Sequence, residues 1–218
     1  CAVVDIERGQ FADAKPFIWQ TDTAVAKNSW CYTENNDYKS PREIICDLVD
    51  IVSKNGNLLL NIGPQADGSF HPDAKKQLYA VGDWLKVNGE AIYGSRPFTV
   101  AAEGPAAQKD ENFDIDKLHE QIKNGDAADV RGNELGERDF RFTTNNGNLY
   151  VIAMGWPADG VLKIHTLRKN GELSSIPSVS LVGSDTPLSF EQTDEALLVQ
   201  LPKKEPAKLA FVLKIPMA

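Results

Sequence analysis

The carboxyl groups best placed to do chemistry stand near the start of the chain. Asp5 and Glu7 stand at the end of the apolar stretch Ala2–Ile6, which predicts a short strand. A carboxyl group at a strand end can act as an acid, a base or a nucleophile. It can equally form an ion pair with a neighbouring arginine, because structural ion pairs resemble catalytic carboxylates. The residues alone leave both interpretations of Glu7 open.

Polar and aromatic residues follow a second predicted strand, which begins at Phe17–Trp19. Gln20 can only form hydrogen bonds, because an amide does not exchange a proton near neutral pH. Asp22 could orient a loop or contact a ligand, although capping or turn formation is the commoner role of such a residue. Trp30 lies in a polar, Asn-rich loop, where a tryptophan belongs to a core less often than it does in a strand.

Strands and helices alternate over the first part of the chain. A capping box at Ser40 begins a helix predicted over 41–54, and Pro72 begins a second one over 72–88. Between them, Asn57–Ile62 is a nearly unbroken apolar run, which predicts a fully buried strand. Since strand and helix alternate, we predict a parallel sheet with helices outside it.

The pattern changes near residue 96. Residues 105–136 are polar and predict an irregular surface insertion with at most one short helix, near Ile115–Ile122. Beyond it, short strands separated by turns predict an antiparallel β-sandwich, with a strong hairpin signal at Asn146–Gly147. We therefore predict two domains, residues 1–96 and 97–218. The later strands are predicted over Asp139–Thr144, Asn148–Trp156, Val161–Leu167, Ser178–Val182, Leu197–Leu201 and Lys208–Ile215.

Charge and composition disfavour several kinds of partner. The net charge of −8 disfavours nucleic acids and anionic membranes. No apolar run approaches the roughly 20 residues of a transmembrane helix, so we expect no membrane insertion. We infer no metal, because neither the cysteines nor the histidines have partners at ligand spacing. These residues are Cys1, Cys31, Cys46, His71, His119 and His165. We infer no cofactor either, since the Gly-rich segments do not match phosphate-binding loops.

Two motifs at a fixed spacing, NGNLLLNIGPQADG and WLKVNGEAIYG, carry a specific family resemblance. With the flanking WQTDTAVAKNSWCY and SPREIICDLVDIVSK, the sequence resembles the end of the catalytic barrel in family 29 glycoside hydrolases, the α-L-fucosidases. DFRFTTNNGNLYVIAMGWP and KLAFVLKI continue the match more weakly. The resemblance implies the C-terminal part of a (β/α)₈ barrel followed by a β-sandwich. A complete barrel takes about 250 residues, so the rest of it is expected outside this chain.

The resemblance implies retaining hydrolysis of terminal α-L-fucose from fucosylated oligosaccharides or glycoconjugates. Such an enzyme needs two carboxyl groups about 5 Å apart, a nucleophile and an acid/base. The family's acid/base lies in the segment that Asp5–Gly9 resembles, which makes Glu7 the acid/base candidate and Asp5 the second choice. The family's nucleophile lies on an earlier strand, and no motif in this chain matches it.

The resemblance also suggests sugar-binding residues. Trp30, in SWCY, corresponds to an aromatic residue that packs against the deoxy-sugar in the family pattern, and here Cys31 replaces the usual glycine. Many family members have glutamate where Gln20 stands. The predicted substrate-binding residues are Trp30, Trp19, Gln20 and Asp22.

Two other classes of function stay open from the sequence. One is a non-catalytic carbohydrate-binding or structural sandwich module with a degenerate barrel, and the other is a barrel glycosidase that acts on another deoxy-sugar. The chain opens directly on a strand, so we expect it to belong to a longer protein. We predict that this protein is secreted or periplasmic.

Overall fold

The structure is a computed structural model that describes residues 3–107, 135–184, 187–203 and 209–217. Most of the predicted insertion, including the short helix near Ile115–Ile122, lies outside these ranges. No helix within the described ranges is long and apolar enough to cross a membrane.

The first three strands form a parallel sheet, as predicted. They are β1 (Val4–Glu7), β2 (Trp19–Ala24) and β3 (Gly56–Asn61), in the order β1-β2-β3. Helix α1 (Pro41–Ser53) connects β2 to β3, and helix α2 (Pro72–Asn88) follows β3. Both helices lie within a residue of their predicted limits.

The two helices begin as their sequences indicate. In the capping box of α1, the Ser40 hydroxyl accepts from the Glu43 amide, and the Glu43 carboxylate accepts from the Ser40 amide. These bonds satisfy two amides that a helix start otherwise leaves unpaired. At α2 the N-cap is His71, whose Nδ1 accepts from the Asp73 amide at 3.3 Å.

The parallel sheet buries only one of its faces. Ile6 and Trp19 lie on the buried face and pack with Phe11 and with Ile51 of α1. The opposite face, called the open face below, leaves Leu59 of β3 54% exposed. The prediction of a fully buried third strand is therefore wrong for the described chain. Successive side chains of a strand point to opposite faces, and α1 covers only one of them.

The remaining strands form two antiparallel sheets, as predicted. The hairpin at Asn146–Gly147 is present, with φ of 47° and 73° at its two central residues. The five-stranded sheet has the order β4-β5-β6-β11-β8 and the three-stranded sheet the order β7-β10-β9. The strands are β4 (Arg96–Glu103), β5 (Phe140–Asn145), β6 (Asn148–Ala153), β7 (Val161–Ile164), β8 (Ser180–Leu181), β9 (Phe190–Gln192), β10 (Leu197–Gln200) and β11 (Phe211–Pro216).

Two of these strands, β4 and β9, were not predicted. β4 begins where the sequence pattern changes, and it contains Pro97. Proline is tolerated there because β4 is an edge strand of its sheet. The predicted strand Val161–Leu167 stops at Ile164, and a 3-10 turn follows. The amides at the start of that turn donate to the Glu103 carboxylate instead of continuing the ladder.

The five-stranded sheet is buried on both faces. One face packs on the three-stranded sheet and forms the sandwich core, with Phe142 and Leu213 among its fully buried residues. The other face packs on α1 and α2, through Tyr150, Ile152 and Val212. Trp84 of α2 reaches across this second core, and its indole N–H donates to the Ala210 carbonyl at 2.5 Å. The α/β and all-β parts are thus packed against each other directly, and the predicted boundary at residue 96 stays a prediction.

A buried ion cluster fixes α1 to the five-stranded sheet. Asp50 of α1 accepts from Arg141 Nε of β5 at 2.5 Å and from Lys54 Nζ at 2.6 Å. All three residues are at least 94% buried. Burial lowers the pKa of Lys54, and the Asp50 carboxylate beside it opposes that shift. Removing one partner from an ion cluster this well buried would leave an uncompensated charge, so the cluster stabilises the fold only while all three residues are present.

We expect Arg141→Met to lower the free energy of unfolding by roughly 3 kcal/mol, the lower end of the range for breaking a buried ion pair. The reason is that Asp50 keeps its buried charge but loses its partner on β5. Urea denaturation of the chain measures the change. Lys86→Met is the control, because Lys86 pairs with Asp83 at the surface and should be replaceable without effect. Equal stability of the Arg141→Met variant and the parent would contradict the role of this cluster.

Candidate active site

Glu7 is the last residue of β1, and its side chain is exposed on the open face. The chain turns sharply after it, because Arg8 adopts a φ of 53°. The Arg8 amide still donates to the Asp22 carbonyl of β2, at 2.8 Å. Gly9 then passes so close to Ile6 that a Cβ would lie 2.4 Å from the isoleucine Cγ2. The carboxyl group therefore stands at a sharply turned strand end.

The strand register brings the four predicted polar residues of β1 and β2 together. Asp5 is paired with Gln20, and Glu7 is paired with Asp22. Paired residues of neighbouring strands lie about 4.8 Å apart and point to the same face. Gln20 Nε2 donates to Asp5 Oδ1 at 3.2 Å, and this pair lies two residues before Glu7 and Asp22 along the strands. Asp5, Glu7, Gln20 and Asp22 thus form one polar cluster on the open face.

The structure also brings Trp30 to Glu7. The indole N–H of Trp30 donates to Glu7 Oε1 at 3.1 Å. The Arg8 guanidinium lies over the indole, 4.3 Å from the ring centroid, within the range of a cation–π contact. Arg8 Nη1 in turn donates to the Lys27 carbonyl at 2.7 Å. The sequence indicated Glu7 and Trp30 separately and allowed a neighbouring arginine only as an ion-pair partner of Glu7, so the stacking of Arg8 on Trp30 was not predicted.

The predicted substrate-binding role of Trp19 is wrong, because the structure buries this residue completely. Trp19 stands at the first position of β2, at the end of the strand opposite to Glu7, and it points to the helix-covered face. Its indole N–H donates to the Lys54 carbonyl at 2.9 Å, and Phe11 packs edge-on against it at 4.8 Å. Its position just before Gln20 and Asp22 in the sequence gave no indication of which face it takes.

A closed loop carries Trp30. Residues 27–38, called the Trp30 loop below, leave β2 and return beside it, where Ala26 and Tyr38 form an antiparallel bridge. Lys39 holds the base of the loop, since its fully buried ammonium donates to Thr23 Oγ1 at 2.9 Å and Asp47 Oδ2 at 3.0 Å. The sequence gave no indication that this lysine is buried.

Asp22 is a carboxyl group of the cluster whose charged form is disfavoured. Its Oδ1 is buried and has no hydrogen-bond partner among the described residues. Burial raises the pKa of the Asp22 carboxyl, and the negative charges of Asp5 and Glu7 raise it further, while Arg8 opposes them. A hydrogen bond from the Asp22 backbone also opposes the rise, but burial and the two neighbouring carboxylates favour the protonated form.

The chemistry available to this group is proton transfer and hydrogen bonding. Glu7 is exposed at a strand end and is held by a neutral donor, and among the described residues it has no close ion pair. In the described parts of the chain, no three His, Cys, Asp or Glu side chains are arranged to hold a metal ion. Cys31 and Cys46 are free thiols, and burial raises the pKa of Cys46 to about 11. An acid/base carboxyl is the catalytic function that this geometry fits.

Comparison with known proteins identifies the family. Residues 2–90 match the family model for alpha-L-fucosidase, and residues 133–216 match the model for the alpha-L-fucosidase C-terminal domain. The mouse tissue alpha-L-fucosidase is 31% identical over 205 residues, which cover 90% of this chain and 38% of that protein. The human tissue alpha-L-fucosidase is 30% identical over 205 residues, covering 90% of this chain and 36% of that protein. The chain thus spans less than two fifths of the length of these relatives.

Solved structures agree with the sequence comparison. The alpha-fucosidase of Thermotoga maritima in complex with fucose has a TM-score of 0.70 and 27% identity, covering 94% of this chain and 41% of that one. The alpha-L-fucosidase isoenzyme 1 of Paenibacillus thiaminolyticus has a TM-score of 0.72 at 21% identity, covering 98% of this chain and 44% of that one, and shows the shared fold. This chain belongs to the α-L-fucosidases, family 29 of the glycoside hydrolases.

We expect Asp22→Asn to stabilise the chain at pH 7 and to have no effect at pH 3. The folded chain holds the Asp22 proton more tightly than the unfolded chain does, so its stability falls as the pH rises above about 3.9, the ordinary pKa of aspartate. Asparagine removes that loss at neutral pH only. Urea denaturation at the two pH values measures it.

Asp67→Asn is the control for the sign of this effect. Hydrogen bonds from Ser69 lower the pKa of Asp67, so its replacement should destabilise the chain at pH 7. A stabilisation by Asp22→Asn of the same size at pH 3 and pH 7 would show that its charge is not responsible.

Proposed function

We propose that this chain supplies the acid/base carboxyl of a retaining α-L-fucosidase, and that Glu7 is that residue. The observation that carries the proposal is the exposed Glu7 carboxyl at the end of a parallel strand, beside Asp22 and held by the Trp30 indole. Active sites of (β/α)₈ enzymes lie at this end of their strands. The family membership of the chain supports the substrate class, which is terminal α-L-fucosides on oligosaccharides or glycoconjugates.

We further propose that β1, β2 and β3 with their helices belong to a (β/α)₈ barrel. Helices cover one face of the sheet, and the open face carries polar residues as the interior of a barrel near its active site would. Leu59 is exposed on that face, and further strands of the barrel would cover it. On this proposal the nucleophile and most of the fucose-binding residues belong to the part of the protein that precedes residue 1.

The reaction follows from the two roles of one carboxyl group. Protonated Glu7 donates its proton to the glycosidic oxygen while the nucleophilic carboxylate attacks the anomeric carbon, and the aglycone alcohol leaves. The Glu7 carboxylate then takes a proton from water, whose oxygen attacks the same carbon and releases both fucose and the nucleophile. Trp30, Gln20 and Asp22 are the proposed substrate-binding residues of this chain.

Glu7→Gln in the complete protein should reduce kcat/KM for fucosides with poor leaving groups by roughly 10²–10⁴-fold. The amide cannot protonate the departing oxygen. Fucosides of acidic phenols should lose much less in the first step, because their leaving groups need little protonation. Added azide should restore turnover of those substrates, because it attacks the fucosyl-enzyme without help from a base. Steady-state kinetics over a series of leaving groups measures both effects.

Two variants complete this experiment. Glu191→Gln removes an exposed carboxyl group of β9 in the sandwich and should leave the kinetics unchanged. Asp5→Asn tests the second candidate, which lies two residues before Glu7 on the same face of β1. Leaving-group dependence and azide rescue in Asp5→Asn, but not in Glu7→Gln, would move the acid/base role to Asp5. A complete protein that binds fucosides without turning them over would favour the non-catalytic alternative.

The 218-residue chain alone should not hydrolyse an aryl α-L-fucoside. The proposed mechanism needs a second carboxyl group as nucleophile, and losing one partner of such a pair removes most of the rate. Expression of residues 1–218 and an assay for released phenol test this expectation. Saturable turnover by the chain alone would mean that the nucleophile lies within it.

A further inference from the structure

Two residues that follow one another closely at the end of β3 contact the backbone of the Trp30 loop. Asn61, half-buried, donates from Nδ2 to the Trp30 carbonyl at 2.5 Å. Gly63 adopts a φ of 63°, and a Cβ at this position would lie 3.2 Å from both the Trp30 carbonyl oxygen and the Tyr32 amide nitrogen. The N-I-G-P segment is therefore the support on which the Trp30 loop rests.

Trp30 is restrained at three points as a result. Its carbonyl accepts from Asn61, its indole N–H donates to Glu7, and its ring lies against the Arg8 guanidinium. A tryptophan that only provided an apolar surface for a sugar would not need its N–H directed at a carboxyl group. The three contacts fix the ring, and the ring fixes one oxygen of Glu7.

We propose that Trp30 is a positioning residue for Glu7, and that Asn61 and Gly63 hold Trp30 in place. The proposal rests on the acid/base role of Glu7 put forward above. The indole N–H occupies Glu7 Oε1, which leaves Oε2 to carry the transferred proton in a fixed direction. A general acid must lie within hydrogen-bond reach of the oxygen it protonates, so a carboxyl group free to rotate is a poorer acid.

Trp30→Phe separates this role from packing against the sugar. Phenylalanine keeps an aromatic ring and loses the N–H donor. In the complete protein we expect kcat/KM to fall roughly tenfold for an alkyl fucoside and less than twofold for a dinitrophenyl fucoside, since only the first needs the acid. Equal losses on both substrates would assign Trp30 to sugar packing alone, and no loss on either would remove its role. Trp156→Phe, in the sandwich core beside Phe211, is the matched control.

The loop after β3 offers a matched pair of glycines for testing the support. Gly63 and Gly68 both have positive φ, so alanine strains the backbone at either position. At Gly63 the new Cβ meets the Trp30 loop, whereas at Gly68 no described residue other than its chain neighbours lies within 4 Å of it. We expect Gly63→Ala to reproduce the leaving-group-dependent loss of Trp30→Phe, and Gly68→Ala to resemble the parent. The same kinetics for both alanine variants would overturn the supporting role of Gly63.

A double-mutant cycle distinguishes failure of this proposal from failure of the acid/base assignment. If Trp30 acts through Glu7, then Trp30→Phe should cause no further leaving-group-dependent loss in the Glu7→Gln background. Full additivity of the two losses would refute the positioning role while leaving Glu7 as the acid/base. Absence of any leaving-group dependence in Glu7→Gln itself would overturn both proposals.

Discussion

Helix α1 depends on burial from two sides, and the rest of the structure depends on α1. Its residue Ile51 packs under the parallel sheet, while Ile44 and Val49 belong to the core shared with the five-stranded antiparallel sheet. The ion cluster at Asp50 secures the second contact through Arg141. Because charges this well buried are expensive when unpaired, the cluster specifies one placement of α1 on the sheet. The strand that follows, β3, inherits its position from α1.

The register of the parallel strands determines which residues form the candidate site. Once β1, β2 and β3 are aligned, the alternation of side chains decides which residues share a face. Glu7 and Asp22 then stand side by side, and Asn61, paired with Ala24, lies beyond them toward the Trp30 loop. The residues of the site are therefore determined by the pairing of the strands, and burial of the apolar face of the sheet fixes that pairing. A shift of one residue in β2 would move Asp22 into the apolar face and Trp19 out of it.

Local signals predicted the elements well, because they act through the nearest few residues. The capping box at Ser40 and the Asn146–Gly147 turn are determined by the backbone next to them, and both were correctly predicted. The polar cluster was also partly predictable, since Glu7 and Asp22 end or line strands. Which face of the sheet a strand residue points to depends on contacts with residues that are distant in the sequence. For that reason Trp19 was placed in the site although it belongs to the core.

Contacts between distant segments could not be predicted from patterns. Arg141 is separated from Asp50 by 91 positions, and nothing in its strand indicates that a charged residue there is buried. The burial of Lys39 could not be predicted for the same reason, because its partners Thr23 and Asp47 belong to different elements. Leu59 shows the reverse case, an apolar residue that is exposed. Its burial depends on what covers the open face, and an apolar run carries no information about that.

The second core, between the helices and the five-stranded sheet, has a consequence for protein engineering. A C-terminal domain that packs on its neighbour through few contacts can be exchanged between relatives by cutting the linker. Here Tyr150 and Val212 of the sheet belong to one buried core with Val81 and Trp84 of α2, so a chimaera joined near residue 96 would combine two surfaces that were never fitted to each other. A unit of exchange that keeps this interface intact must carry α1, α2 and the intervening strand β3 together with the sandwich.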